Sequence, residues 1–210
     1  MPRWNNAAGV VVARDVDFFW DIGSTNSYFA LHLVRPIVAR HGARLISHPF
    51  NLGYVFRAQA YVLMDEPPAK LSHRFVDLRR WAERYRLPFR MPDAFPIKTS
   101  RVLRGALAMR RIGKEWPYID AVFQAYWEQN DASIADYAGL HPIVRRMGVD
   151  PAEFEALSES EPVRKKLIAE TQGGMARGVF GAPTFFVGDE MFWGKDRMEF
   201  LEAALATPSP

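Results

Sequence analysis

Apolar positions in this chain alternate between strand-length runs and helical spacing. Val16 to Ile22 (VDFFWDI) is a compact apolar run, rich in aromatics and closed by Gly23, and it predicts a strand. After Ser24-Thr25-Asn26-Ser27, the residues Tyr28, Leu31, Val34, Ile37 and Val38 recur at helical spacing to about Arg40, with Gly42 as terminator. Ala43 to Phe50 predicts a second strand, with Leu45 and Ile46 in its apolar part. Strand, helix, strand with short joints makes a βαβ unit, which is right-handed and parallel.

From about Tyr54 the pattern turns helical. Leu71, Phe75, Leu78, Ala82 and Tyr85 form one amphipathic stripe, and Trp116, Ile119, Phe123 and Trp127 form another. Pro88, Pro92 and Pro96 separate these helices. Asp150-Pro151-Ala152-Glu153 has the form of an acidic cap with proline at the first helical position, and Ser160-Glu161-Pro162 reads as another helix start. Strand character returns at Thr184 to Val187 and Glu190 to Trp193, joined by Gly188-Asp189 as a tight hairpin, before a closing helix from about Asp196 to Ala206.

A proline directly before a β-rich run lacks the N–H for ladder pairing, so Pro183 belongs at a strand's first residue or edge. The Ala182-Pro183 bond is a place where a cis peptide is built in. In that form the N–H and C=O of Ala182 face outward, free to pair with an extended ligand. An ordinary hairpin with a trans proline is the plainer reading of the local pattern.

Composition narrows the chemistry. The 210 residues and 49% hydrophobic content suit one large domain, or one domain with an insertion. The net charge of +3 is spread along the chain, and no basic run interleaved with aromatics points to nucleic acid. Arg79-Arg80, Arg110-Arg111 and Lys165-Lys166 read as solvated helix faces. Cysteine is absent, which removes disulfides, thiolate metal sites and any protein thiol nucleophile. His32, His41, His73 and His141 lack metal-ligand spacing, so no metal is expected. No signal-peptide core and no membrane-length apolar run is visible, and the expectation is a soluble, cytoplasmic protein with residues 1–14 as a loosely held tail.

The order βαβ, helical block, ββα is that of a thioredoxin-like α/β fold with a large α-helical insertion between its halves. Residues 15–57 and 171–206 are assigned to the discontinuous thioredoxin-like domain and 58–170 to the insertion. More specifically, Asp17-Phe18-Phe19-Trp20-Asp21 with Ser24 and Ser27-Tyr28, His48-Pro49-Phe50, Phe180-Gly181-Ala182-Pro183-Thr184 and the run Gly188 to Arg197 resemble the 2-hydroxychromene-2-carboxylate isomerase family. That family lies in the DsbA-like branch of the thioredoxin superfamily, beside the kappa-class glutathione transferases. The likeness spans about Asp15 to Leu205.

The resemblance implies a borrowed sulfur. Ser24 stands where redox relatives carry their attacking cysteine, and the family takes its thiol from glutathione. A thiol at a helix N-terminus meets unpaired N–H groups and the positive end of the dipole, which favour thiolate. Read without the resemblance, Ser24 is a helix N-cap. Glutathione-binding positions carried over are Ser24, Ala182, Pro183, Trp193, Gly194, Lys195 and Asp196. Ala182 would bind the cysteinyl part as an added strand, and the 193–196 turn would meet the γ-glutamyl end. Lys195 and Arg197 are by default exposed charges. His48, Asn51 and Lys98 are the candidates for an anionic aromatic substrate; read as residues alone they are ordinary polar positions.

Two departures mark this chain. Thr25-Asn26 replaces the proline step that commonly follows the serine, and Lys98 stands where many relatives carry asparagine. The implied activity is cis–trans isomerisation of 2-hydroxychromene-2-carboxylate or a similar aromatic ring-fission product, with a homodimer as the family's assembly. Two other classes remain open: a kappa-like glutathione transferase, which would consume glutathione one for one, and a non-catalytic thioredoxin-fold binding module, which would bind none.

Overall fold

The computed structural model describes residues 14–62 and 65–207. The first strand, β1 (Asp15–Trp20), is followed by α1 (Thr25–Arg40) and β2 (Arg44–Pro49). Among the described residues, seven α-helices and one 3-10 turn (Ala132–Ala135) intervene before the next strand: α2 (Leu52–Ala58), α3 (Pro68–Tyr85), α4 (Ser100–Arg110), α5 (Glu115–Trp127), α6 (Tyr137–Arg146), α7 (Pro151–Glu159) and α8 (Glu161–Ala176). The hairpin β3 (Thr184–Val187) and β4 (Glu190–Trp193) and the helix α9 (Met198–Ala206) complete the described chain. The sheet order is β2-β1-β3-β4, with β1 parallel to β2 and β3 antiparallel to both neighbours.

β1 sits inside the sheet and its second half, Phe18-Phe19-Trp20, is covered on both faces, which is why that half is wholly apolar. Val16, Phe18 and Trp20 point to the main core, where Phe18 stacks on Phe185 across the strands at 4.9 Å. The Trp20 indole donates to Ser47 Oγ at 2.8 Å, so its one polar atom is satisfied in the interior. Each such fully buried side chain stabilises the fold by roughly 1.5–3 kcal/mol. Phe19 points the other way, into a smaller cluster with Phe50, Val55, Val179 and Phe186 beneath α2 and α8. Gly174 lets α8 come this close, since a Cβ there would lie 2.9 Å from the Phe19 ring.

The main core is continuous from α1 and the sheet through α4, α5, α6 and α7 to α9. The second amphipathic stripe is largely buried, Ile119, Phe123 and Trp127 fully so. The first is only half used: Leu78 is buried, whereas Phe75 and Tyr85 of α3 stay exposed. Asp150 caps α7 through the N–H groups of Ala152 and Glu153, as its spacing predicts. Helix α8 runs unbroken through residue 171, where the sequence reading resumed the thioredoxin-like part. Of the tail read at residues 1–14, residues 1–13 lie outside the described residues. Arg14 is anchored rather than loose, its guanidinium donating to Ala204 O at 2.7 Å and Thr207 O at 2.6 Å. Among the described residues, no helix is long and apolar enough to cross a membrane.

Candidate active site

β1 delivers the chain into a tight turn at the sheet's C-terminal edge. The Ser24 N–H donates to Asp21 O at 3.0 Å, and the Gly23 N–H to Asp21 Oδ1 at 2.9 Å. This places Ser24 at the N-cap of α1 with extended backbone, φ −97° and ψ 113°. Its Oγ accepts the Ser27 N–H at 3.2 Å and donates to Ala182 O at 2.8 Å. The hydroxyl is therefore both the helix cap and the tie between the helix start and the segment before β3. Among the described residues, the N–H groups of Thr25 and Asn26 have no partner, so the first turn of α1 keeps open donors beside Ser24.

The Ala182–Pro183 peptide is cis. The C=O of Ala182 is not free, contrary to the outward-facing expectation: it takes the Ser24 proton. The Ala182 N–H has no partner among the described residues. Pro183 O accepts the Gly194 N–H at 3.0 Å, which occupies one donor of the 193–196 turn and seats that turn against the proline. Gly194 has φ +102°, and a Cβ there would meet Asp196 Oδ1 at 2.6 Å. Trp193 is half exposed and packs its ring on Phe180 at 4.9 Å. The Asp196 carboxylate is exposed and held by Arg197 at 2.6 Å; it precedes α9 without capping it.

Lys195 departs from its default reading. It is buried, with Nζ 3.7 Å from Asp77 Oδ2 and 4.5 Å above the Trp81 ring, both on α3. Burial lowers its pKa, with Asp77 and Asp196 opposing the shift. Asp77 and Trp81 stand four apart and thus one above the other on α3, a spacing legible in the sequence but not its target.

His48 is engaged by β1 and α8. Its ring stacks on Phe19 at 4.5 Å, with Nδ1 2.7 Å from Glu170 Oε2 and Nε2 3.1 Å from Asp17 Oδ1. Burial pulls its pKa down, but hydrogen bonding to Asp17 and Glu170 outweighs this and raises it. Both nitrogens are committed to carboxylates, which leaves none for an anionic substrate. Asn51 caps α2, its Oδ1 accepting the Tyr54 N–H at 3.1 Å, while its N–H donates to Thr171 Oγ1. Lys98 is exposed, makes no ion pair among the described residues, and directly precedes Thr99, whose methyl lies 3.0 Å from where a Gly23 Cβ would stand.

Sequence reasoning quoted Asp21 without giving it a role. The side chain is almost completely buried, and Oδ2 accepts both the Leu52 N–H at 2.9 Å and the Thr99 hydroxyl at 3.1 Å. Burial raises its pKa from 3.8 to about 6, against the pull of these hydrogen bonds. An acid at the end of an apolar strand, two residues before Gly23-Ser24, was the available signal.

The DSBA-like thioredoxin domain family matches residues 15–206 of this chain. A 2-hydroxychromene-2-carboxylate isomerase of Pseudomonas sp. (strain C18) is 32% identical over 193 residues, which cover 90% of this chain and 89% of that protein. A solved 2-hydroxychromene-2-carboxylate isomerase superposes with a TM-score of 0.78 at 29% identity, covering 91% and 94% of the two chains. The oxidoreductase DsbA from Xylella fastidiosa shares the fold, with a TM-score of 0.60 at 15% identity over 94% of this chain and 87% of that one.

Proposed function

The chain belongs to the DsbA-like thioredoxin family, among its 2-hydroxychromene-2-carboxylate isomerases, and from that premise we propose that it is a glutathione-dependent cis–trans isomerase of an aromatic ring-fission product. The single observation that carries this reading is Ser24 at the start of α1, bonded to Ala182 beside Pro183 in a chain without cysteine. Dithiol exchange has no protein thiol to work with, and a thiol from a bound tripeptide fits the donors that remain.

The fit rests on three features: the Ser24 hydroxyl, the free N–H groups of Thr25 and Asn26, and the unpaired Ala182 N–H. Bound glutathione supplies the sulfur nucleophile, whose reversible addition to a conjugated alkene lets the former double bond rotate. Ser24 has one proton and gives it to Ala182 O. A peptide ligand that offers its own N–H to Ala182 O releases that proton for the sulfur. The hydroxyl and the α1 N-terminus then stabilise negative charge without moving the backbone. The Ala182 N–H holds the cysteinyl backbone as an added strand, and Asp196 suits the ammonium of the γ-glutamyl end. Asn51 and Lys98 border the same turn and suit the substrate carboxylate.

Product analysis tests the reading. Incubation with 2-hydroxychromene-2-carboxylate should give the trans product at constant glutathione and no turnover when glutathione is omitted. Ser24→Ala should lower kcat by about 10²–10³-fold, the usual cost of one donor to a developing anion. Turnover independent of glutathione would end the proposal, and glutathione consumed one for one would move the chain to the transferases.

A further inference from the structure

Three segments distant in sequence carry Ser24, Asn51 and Lys98: the β1–α1 turn, the β2–α2 joint and the loop before α4. One buried side chain touches all three. Asp21 Oδ1 accepts from Gly23 N–H, the residue before Ser24, at 2.9 Å. Oδ2 accepts from Leu52 N–H, the residue after Asn51, at 2.9 Å and from the Thr99 hydroxyl, the residue after Lys98, at 3.1 Å. The Asp21 carbonyl takes the Ser24 N–H as well.

We infer that Asp21 is the positioning residue of this site, its carboxylate holding the Ser24, Asn51 and Lys98 segments at one spacing so that a thiol and an anionic aromatic substrate meet in register. The inference rests on the function proposed above for what the site binds. All three partners donate, and an ionised carboxylate is a side chain of this size that only accepts. An amide in its place fails at one end. If its oxygen keeps Leu52 and Thr99, its NH2 opposes the Gly23 N–H and displaces the Ser24 turn. If its oxygen keeps Gly23, the NH2 opposes the Leu52 N–H and displaces the start of α2. The Thr99 hydroxyl can rotate to accept, so that segment alone tolerates the exchange. Ionisation of this buried acid is disfavoured by its surroundings, so a carboxylate here serves geometry at the expense of stability.

The test is steady-state kinetics per folded molecule on Asp21→Asn and Thr99→Val, below the melting point of each, with glutathione affinity measured separately by calorimetry. Thr99→Val frees only the Lys98 segment and should raise KM for the aromatic anion by about tenfold, with kcat and glutathione affinity within about twofold. Asp21→Asn should lower kcat by about 10–100-fold at saturating substrates, with glutathione affinity within about fivefold, as expected for a reacting group misplaced by about 1 Å. A purely structural Asp21 would lower the melting point and leave kcat and KM of the folded protein at wild-type values, which overturns the inference. If Asp21→Asn does not fold, the KM of Thr99→Val decides. If the wild type shows no glutathione-dependent turnover, the functional reading has failed, and crystal structures of the variants decide the positioning claim. Unchanged Cα spacing of Ser24, Asn51 and Lys98 overturns it, and displacement supports it.

Discussion

Replacing Asp21 by asparagine should change how stability depends on pH, in a direction opposite to that of Asp17 and Glu170, whose pKa values are lowered. Burial raises the Asp21 pKa from the ordinary 3.8 to about 6. The folded state therefore holds its proton more tightly than the unfolded state between those values. The stability that protonation contributes is fully present below about pH 3.8 and is lost as pH rises through about 6. At about 1.4 kcal/mol per pH unit the gap is worth about 3 kcal/mol, of which about 2 kcal/mol separates pH 7.5 from pH 4.5. Asparagine carries no such proton, and the other titrating groups are common to both proteins. Urea unfolding of both proteins across this range isolates Asp21. The wild type should gain about 2 kcal/mol relative to Asp21→Asn on going down to about pH 4.5, on top of a pH-independent offset from the rearranged hydrogen bonds. Parallel curves would refute the reasoning, because they would mean that the carboxylate is as well solvated in the fold as in the unfolded chain.

Other expectations concern the surroundings. Ser24→Ala removes both the α1 cap and the Ala182 tie and should cost about 2 kcal/mol in chemical denaturation, apart from its effect on activity; an unchanged midpoint would contradict the double role. Glu170 is held down to about 2: burial opposes ionisation, but His48 and Lys166 outweigh it. Its stabilisation is present above about pH 4.5 and lost as pH falls through about 2, so the deficit of Glu170→Gln should be about 3 kcal/mol near neutrality and vanish in strong acid. A deficit independent of pH would point to packing instead. Lys195→Met keeps the stem against Trp81 without a buried ammonium, and its stability should stay within about 1 kcal/mol of wild type; a loss of several kcal/mol in the same assay would show a strong Asp77 pair.

Much of the fold was visible in periodicity. The strand at Val16, the helix through Val38 and the hairpin around Gly188-Asp189 are local patterns, and local backbone preferences determine them. The observed strands stop short of the predicted runs, at Trp20 and Pro49, because the chain turns there: Phe50 N–H still reaches Trp20 O, but Gly23 and Asn51 bond the side chains of Asp21 and Thr171. The stripe on α3 misled for a related reason. Amphipathic spacing says which residues share a face, not whether another element covers it, and Phe75 and Tyr85 lie on a face that is left open.

The site divides the same way. Absence of cysteine, the serine at a helix start and the proline opening a strand are properties of the chain itself, and the first of them leaves the protein no thiol of its own. Tertiary structure decided which groups meet. It gave the Ser24 proton to Ala182, drew His48 between Asp17 and Glu170, and turned Lys195 onto α3. It also gathered three segments on Asp21. Sequence records hydrogen-bonding capacity residue by residue. A partner across dozens of residues is chosen only when a packed interior excludes water and leaves each buried donor a single acceptor within reach.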